Sequence, residues 1–137
     1  PEAGRAKGAL VLLHGFGAPG DDLVGLGPEL LRRAPELKDV LLVFPEAPMD
    51  LSVLSPGARA WWLIDFERIQ ARQRSDPEAL RRLRGEVPDG MPAARAAVES
   101  LLAALAAQKL PLERIVLGGF SQGSMVATDV ALHAPTS

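Results

Sequence analysis

A short stretch near the end of the printed sequence constrains the fold most strongly. Residues 114–117 are largely apolar and are followed by two glycines, which predicts a buried strand, and a helix-compatible run continues over residues 124–133. Gly-Phe-Ser-Gln-Gly lies between them. A strand, Gly-x-Ser-x-Gly and a helix form a nucleophile elbow, in which the serine is strained and its hydroxyl points out of the sheet. We therefore predict Ser121 as a catalytic nucleophile. Gly119 and Gly123 flank it because side chains there would collide with the strand and the helix.

Ser121 also has a purely structural interpretation. Serine is a favoured N-cap, so it could simply cap the helix whose first residues are Gln122 and Gly123. A cap alone does not require a glycine on each side, which favours the elbow.

The composition bounds the class of protein. A chain of 137 residues fits one domain, and a net charge of −2 gives no basic surface for nucleic acid or an anionic membrane. The sequence has no apolar run of transmembrane length and no secretory leader pattern. It also has no cysteine, so no disulfide or thiolate metal site can form. We expect no metal, no cofactor and a cytoplasmic location.

Two more apolar runs predict strands of the same sheet. Residues 9–13 lack polar alternation, which is typical of a parallel strand covered on both faces, and residues 40–44 form a second such run. Leucines recur at helical spacing between them, with Asp21 and Asp22 expected to supply an N-cap. Together these elements predict a right-handed parallel crossover.

A glycine-dense loop, residues 14–20, follows the first predicted strand. It lacks the Gly-Lys-Ser/Thr ending of a phosphate-binding loop, so nucleotide binding is not expected. We interpret it as an oxyanion loop. The backbone amide of Phe16 would pair with the amide of Gln122 to hold a developing negative charge beside Ser121.

The region from Met49 to Val87 is less regular. Residues 56–59 predict a turn, and both tryptophans of the protein, Trp61 and Trp62, follow it. They could plug the core or form an apolar wall of the substrate pocket, and both interpretations stay open. Residues 75–78 resemble a helix start.

A long helix is predicted from Asp89 to about Gln108, with Lys109 in its last turn and Pro111 ending it. Its apolar face would comprise Ala94, Val98, Leu101, Leu102 and Leu105. The arginine-rich residues 81–84 before it predict a solvated surface rather than an anion site.

Four segments together resemble the phospholipase/carboxylesterase family of α/β-hydrolases, which includes the acyl-protein thioesterases. They are residues 12–17, 44–48, 57–62 and 118–125. The resemblance implies a doubly wound, mostly parallel sheet, a nucleophile at Ser121 and oxyanion amides from Phe16 and Gln122. It also implies hydrolysis of carboxylic esters, and in some members of thioesters or lysophospholipids, without a cofactor.

The sequence departs from the family pattern after the nucleophile. In the family, the triad acid and histidine follow on later strands, whereas only residues 122–137 follow Ser121 here. His133 lies along the same helix, about 18 Å away at 1.5 Å per residue, which excludes it as the base. His14 is closer, but a histidine in an oxyanion loop is usually a structural hydrogen-bonding residue. We therefore expect a single domain, residues 1–137, that is truncated after the nucleophile helix.

The strand ending at Leu117 would then lack its outer neighbour and expose an apolar edge. A homodimer through that edge, or a complementing second chain, is the corresponding hypothesis. The leading interpretation of function is a serine hydrolase of small acyl esters or thioesters. The alternatives are a non-catalytic binding or assembly chain, and an acyltransferase or perhydrolase that shares the acyl-enzyme.

Overall fold

The computed structural model describes residues 1–75, 78 and 85–134 of the chain. Its strands are β1 (Gly8–Leu13), β2 (Val40–Val43), β3 (Met49–Asp50), β4 (Arg59–Ala60) and β5 (Ile115–Gly119). Its α-helices are α1 (Leu26–Arg33), α2 (Phe66–Ser75), α3 (Met91–Ala107) and α4 (Gln122–His133). Short 3-10 helices cover Ala3–Arg5, Pro35–Asp39 and Leu112–Arg114. The predicted arginine surface at 81–84 lies outside the described residues.

The central sheet is parallel, with the strand order β2-β1-β5. Its last registered pair joins Leu13 of β1 to Gly119 of β5. Because parallel strands end at the same edge, the loops that follow β1 and β5 leave the sheet side by side. This confirms the predicted α/β class and brings the predicted oxyanion loop next to the predicted nucleophile.

The two faces of β1 differ in burial. Ala9, Val11 and Leu13 are buried in the main core, whereas Leu10 and Leu12 on the opposite face are only half-buried. Helix α4 packs on β1 and β5, and α3 packs against α4, so these two helices cover the first face. The prediction of full cover on both faces is wrong, because α1 covers the second face only in part.

Helix α1 begins later than predicted, at Leu26, with Gly25 in the N-cap position and no side-chain cap. Asp21 and Asp22 lie in the preceding turns, so the prediction that they cap this helix is wrong. The helix packs closely on β2 at Gly27, where an added Cβ would lie 3.6 Å from a methyl carbon of Leu42. The helix therefore begins where it reaches the sheet.

Helix α3 has the apolar face predicted for it: Ala94, Val98 and Leu105 are buried, and Leu101 and Leu102 are half-buried. Lys109, however, lies beyond its last turn. The residue has φ 68°, while Lys109 N–H donates to Ala106 O and Leu110 N–H donates to Leu105 O. These two bonds form a Schellman motif, which ends the helix before Pro111.

The region after Met49 is more regular than its sequence suggests. Strands β3 and β4 form an antiparallel hairpin, and Arg59 lies in β4 rather than in the predicted turn. Ser75 is the last residue of α2, and residues 76, 77 and 79–84, over which the helix predicted to start at 75–78 would run, lie outside the described part of the chain. The sequence does not reveal α2, because this helix lacks the regularly spaced apolar residues by which helices are recognised. It does not reveal β3 and β4 either, because strands of two residues are too short to show an alternating pattern.

Candidate active site

The turn between β5 and α4 holds Ser121 in an unusual backbone conformation, with φ 51° and ψ −118°. Gly123 N–H donates to Phe120 O over 2.9 Å, so residues 120–123 form a type II′ turn with Ser121 at its first central position. Glycine is the residue that normally occupies this position. The serine hydroxyl makes no capping hydrogen bond to α4, and the residue is exposed. The N-cap interpretation therefore lacks the contact on which it depends.

The two flanking glycines lie where backbone segments approach most closely. A Cβ added to Gly119 would lie 2.4 Å from the carbonyl carbon of Gly123. A Cβ added to Gly123 would lie 2.3 Å from the carbonyl oxygen of Leu13. Such separations do not occur between real atoms, so the Gly-x-Ser-x-Gly spacing follows from the packing of the elbow between β1 and α4.

The loop after β1 lies against the elbow. A Cβ added to Gly15 would lie 3.4 Å from the Cβ of Ser121, and Phe16 is the next residue. The loop is held from its other side by β4, because Gly17 N–H donates to Arg59 O and Arg59 N–H donates to Ala18 O. The structure thus brings the Phe16 segment, Ser121 and Gln122 together at one edge of the sheet.

Neither histidine is placed to activate Ser121. His14 is buried, and both of its ring nitrogens are engaged: Nε2 accepts from Ala47 N–H at 3.0 Å, and Nδ1 donates to Gly15 O at 2.9 Å. His133 is the last residue of α4, and its Nδ1 donates to the carbonyl oxygen of Asp129. Among the described residues, His14 therefore organises the loop, and His133 is at the far end of the nucleophile helix.

Both tryptophans are buried in the main core, and Trp62 also lines a cavity. The indole N–H of Trp61 donates to the carbonyl oxygen of His14 at 2.9 Å, and its ring lies in the main core. Trp62 lines a cavity of about 420 Å³, together with residues 63–65, Ile69 and 86–90. Of the two predicted pocket residues, Trp62 alone is assigned to this cavity.

A second cavity, of about 330 Å³, continues toward α4. It shares Glu86, Val87 and Pro88 with the first and also includes Ser124 and Met125, which follow the elbow. The two cavities give the region between Trp62 and α4 a concave surface that is of mixed polarity near Trp62 and more apolar near α4.

The sequence analysis missed two side chains that organise this edge. Arg59 donates from Nε to Ala47 O at 2.6 Å and from Nη2 to Pro48 O at 3.2 Å, which ties β4 to the loop after β2. Gln122 was predicted for its backbone amide only, yet its buried side chain spans Trp61 and Trp62. No local pattern signals either contact, because the partners lie 11 to 61 residues away along the chain.

The described residues contain no cluster of three or more His, Asp or Glu side chains that could hold a metal ion. Within those residues, no helix is both long and apolar enough to cross a membrane.

A parallel sheet, a strained serine in a II′ turn at its carboxyl edge and a helix directly after that serine define an α/β-hydrolase fold. The chain belongs to the phospholipase/carboxylesterase family, whose model matches residues 1–137. The resemblance found in the sequence is thereby confirmed.

Several curated proteins are similar to the chain. Acyl-protein thioesterase 1 of Eremothecium gossypii is 32% identical over 130 residues, which are 95% of this chain and 50% of that protein. Acyl-protein thioesterase 1 of Yarrowia lipolytica is also 32% identical over 130 residues, covering 93% of this chain and 51% of that protein. The chain therefore spans about half the length of these relatives.

Solved structures show the same fold. Esterase PE8 superposes with a TM-score of 0.71 at 32% identity, covering 97% of this chain and 54% of that one. A phospholipase/carboxylesterase from Dyadobacter fermentans superposes with a TM-score of 0.59 at 24% identity, covering 96% of this chain and 49% of that one. The second likeness concerns the fold alone.

Proposed function

We propose that this chain supplies the nucleophile and the oxyanion donors of a serine hydrolase that acts on carboxylic esters or thioesters. The observation that carries the proposal is the backbone of Ser121, a non-glycine residue held at φ 51° and ψ −118°. Such strain costs about 1–3 kcal/mol and persists where the surrounding structure enforces it. Family membership supports acyl chemistry, and the similar acyl-protein thioesterases and esterase support ester or thioester substrates.

In the proposed reaction, the Oγ of Ser121 attacks the acyl carbonyl carbon and loses its proton to a base. The carbonyl oxygen becomes an oxyanion, which the backbone N–H groups of Phe16 and Gln122 stabilise. Collapse of this intermediate expels the alcohol or thiol, which takes up the proton, and leaves the acyl group on Ser121. Water then attacks the acyl-enzyme in the same way, releasing the carboxylic acid and regenerating the serine. Trp62 and its cavity are proposed to contact the acyl chain, with Trp61 as the buried support behind it.

The base is proposed to come from outside the described residues, because His14 is fully engaged and His133 is remote. The outer edge of β5 is the place where a further segment or chain would join. Within the described sheet, β5 pairs only with β1, and Val116 in β5 is 63% exposed. We propose that a second copy or a complementing chain pairs there. A monodisperse monomer in light scattering, with no partner added, would contradict this part of the proposal.

The cytoplasmic location expected from the sequence stays a prediction.

The test is covalent labelling with a fluorophosphonate, followed by intact-mass measurement. This reagent reacts with a serine that is activated as a nucleophile. We therefore expect one adduct on the wild-type chain once it is paired with the copy or chain that supplies the base, and none on Ser121→Ala in the same assembly. Ser100→Ala is the matched control, since Ser100 lies on the exposed side of α3 and donates only to Ala96 O.

An adduct that persists on Ser121→Ala would refute the assignment of the nucleophile. No adduct on the wild-type chain, alone or with its partner, would favour the rival class, a non-catalytic chain that keeps the pocket for binding. The strained serine argues against that class, because a binding surface gains nothing from it.

A further inference from the structure

The side chain of Gln122 is the most completely engaged polar group at the elbow. It is 3% exposed, and both of its ends make hydrogen bonds. Its Oε1 accepts from Trp61 N–H at 2.9 Å, and its Nε2 donates to Trp62 O at 2.9 Å. The side chain of the first residue of α4 thus bonds to the backbone of both tryptophans.

Trp61 carries the connection on to the loop after β1. Its indole N–H donates to His14 O, and the His14 ring is fixed in turn by Ala47 N–H and Gly15 O. Among the described side chains, no buried polar atom lacks a partner. Each polar side-chain atom of the cluster formed by His14, Trp61 and Gln122 therefore has at least one partner, and such satisfied clusters favour one arrangement.

This cluster joins the two groups proposed to bind the oxyanion. The backbone N–H of Gln122 and its anchored side chain share one α-carbon, so fixing the side chain restricts rotation of the adjacent peptide. Phe16 lies two residues after His14, whose carbonyl oxygen the Trp61 indole holds. A shift of the Gln122 side chain would move Trp61, then His14 O, and with it the Phe16 peptide.

We propose that Gln122 is a positioning residue, whose side chain sets the separation of the Phe16 and Gln122 amides through Trp61. The catalytic consequence rests on the proposed function, whereas the positioning itself does not. Misplacement of a reacting group by about 1 Å can lower a rate about 100-fold. Loss of this anchor would therefore reduce acylation without removing any group that touches the substrate.

The test compares Gln122→Glu with Asp129→Asn in the ¹⁵N-labelled full chain. The new carboxylate can still accept from Trp61 N–H but cannot donate to Trp62 O, and protonation at lower pH restores that donor. Asp129→Asn is the control. Asp129 lies on the same helix as Gln122, and the substitution breaks its ion pair with Arg95 without changing any residue of the cluster. His14 is the other titratable group in the cluster, so wild type is recorded at every pH.

We expect the amide signals of residues 15–17 and 120–123 to shift at pH 8 in Gln122→Glu, together with the Trp61 indole signal. They should return toward wild type near pH 5 and stay unchanged in Asp129→Asn. Fluorophosphonate labelling of Ser121 should slow roughly 10- to 100-fold at pH 8 relative to wild type, with a smaller gap at lower pH.

The proposal would be overturned if Gln122→Glu shifted the Trp61 indole signal but left the amide signals of residues 15–17 unchanged. It would also be overturned if Ser121 in Gln122→Glu were labelled at the wild-type rate. If the wild-type chain is not labelled even with the partner that supplies the base, the proposed function fails while the amide signals still decide the positioning. Should Gln122→Glu not fold, Trp61→Phe removes the indole donor together with part of the buried ring. We then expect Trp61→Phe to shift the amide signals of residues 15–17, and unchanged signals would again refute the proposal.

Discussion

The α-carbon of Gly123 faces the carbonyl oxygen of Leu13 so closely that an added Cβ would lie 2.3 Å from that oxygen. Both partners are backbone in regular elements, so neither can move aside cheaply. We expect Gly123→Ala to lower the free energy of unfolding by more than about 3 kcal/mol, or to prevent folding. Gly4→Ala is the matched control, because no atom lies within 4 Å of its added Cβ. Chemical denaturation of both variants measures the difference, and equal stabilities would contradict the close approach.

Lys109 offers a stabilising substitution. The residue has φ 68° at the position after the C-cap of α3, where glycine is the usual choice. We expect Lys109→Gly to raise the free energy of unfolding by about 0.5–1 kcal/mol, because it removes the left-handed strain. Lys109→Ala removes the same charge but keeps the strain, so it should give no such gain. An equal rise in the free energy of unfolding of both variants would show that loss of the lysine charge, and not relief of strain, causes the effect.

Arg95 and Asp129 join α3 to α4 through an ion pair of 2.8 Å, whose side chains are 22% and 15% exposed. Partial burial reduces screening, so we expect a coupling free energy of about 1 kcal/mol or more in a double-mutant cycle to alanine. The exposed pair Arg32–Glu29 within α1 is the comparison and should couple more weakly, because solvent screens it. Thermal or urea unfolding measures both cycles, and equal coupling would show that burial has no effect here.

The ion pair between Lys7 and Asp39 predicts a pH dependence of stability. The hydrogen bond and charge of Lys7 lower the pKa of Asp39 below its ordinary 3.8, and Asp39 raises the pKa of Lys7 above 10.5. The lowered carboxyl pKa stabilises the fold above about pH 4, and this contribution is lost as the pH falls further. The raised lysine pKa stabilises it below about pH 10, and this contribution is lost as the pH rises further.

We therefore expect Asp39→Asn to lower the Tm at pH 7 and to match wild type near pH 2.5. Added salt should shrink the difference at pH 7, because both side chains are exposed to solvent. Calorimetry at the two pH values checks this, and a difference that persists at pH 2.5 would assign the effect to something other than charge.

Much of the fold is predictable from the sequence because its signals are local. The apolar runs of β1, β2 and β5, the helical spacing of α3 and the glycines around Ser121 each report a geometry that neighbouring residues impose on one another. The family resemblance rests on the same contiguous segments, which is why the model match over residues 1–137 confirms it. The roles of Ser121, Phe16 and Gln122 in catalysis stay predictions.

The order strand, serine, helix is therefore readable from the amino-acid sequence, since steric limits and side-chain periodicity act over a few residues. Other features depend on how distant parts of the chain pack together. Gln122 bonds to the backbone of both Trp61 and Trp62, and Trp62 in addition lines the cavity. Asp21 and Asp22 lie before α1 and do not cap it. The side chain of Gln122 is buried. These outcomes depend on hydrogen bonds and contacts between residues up to 61 positions apart, which no local pattern records.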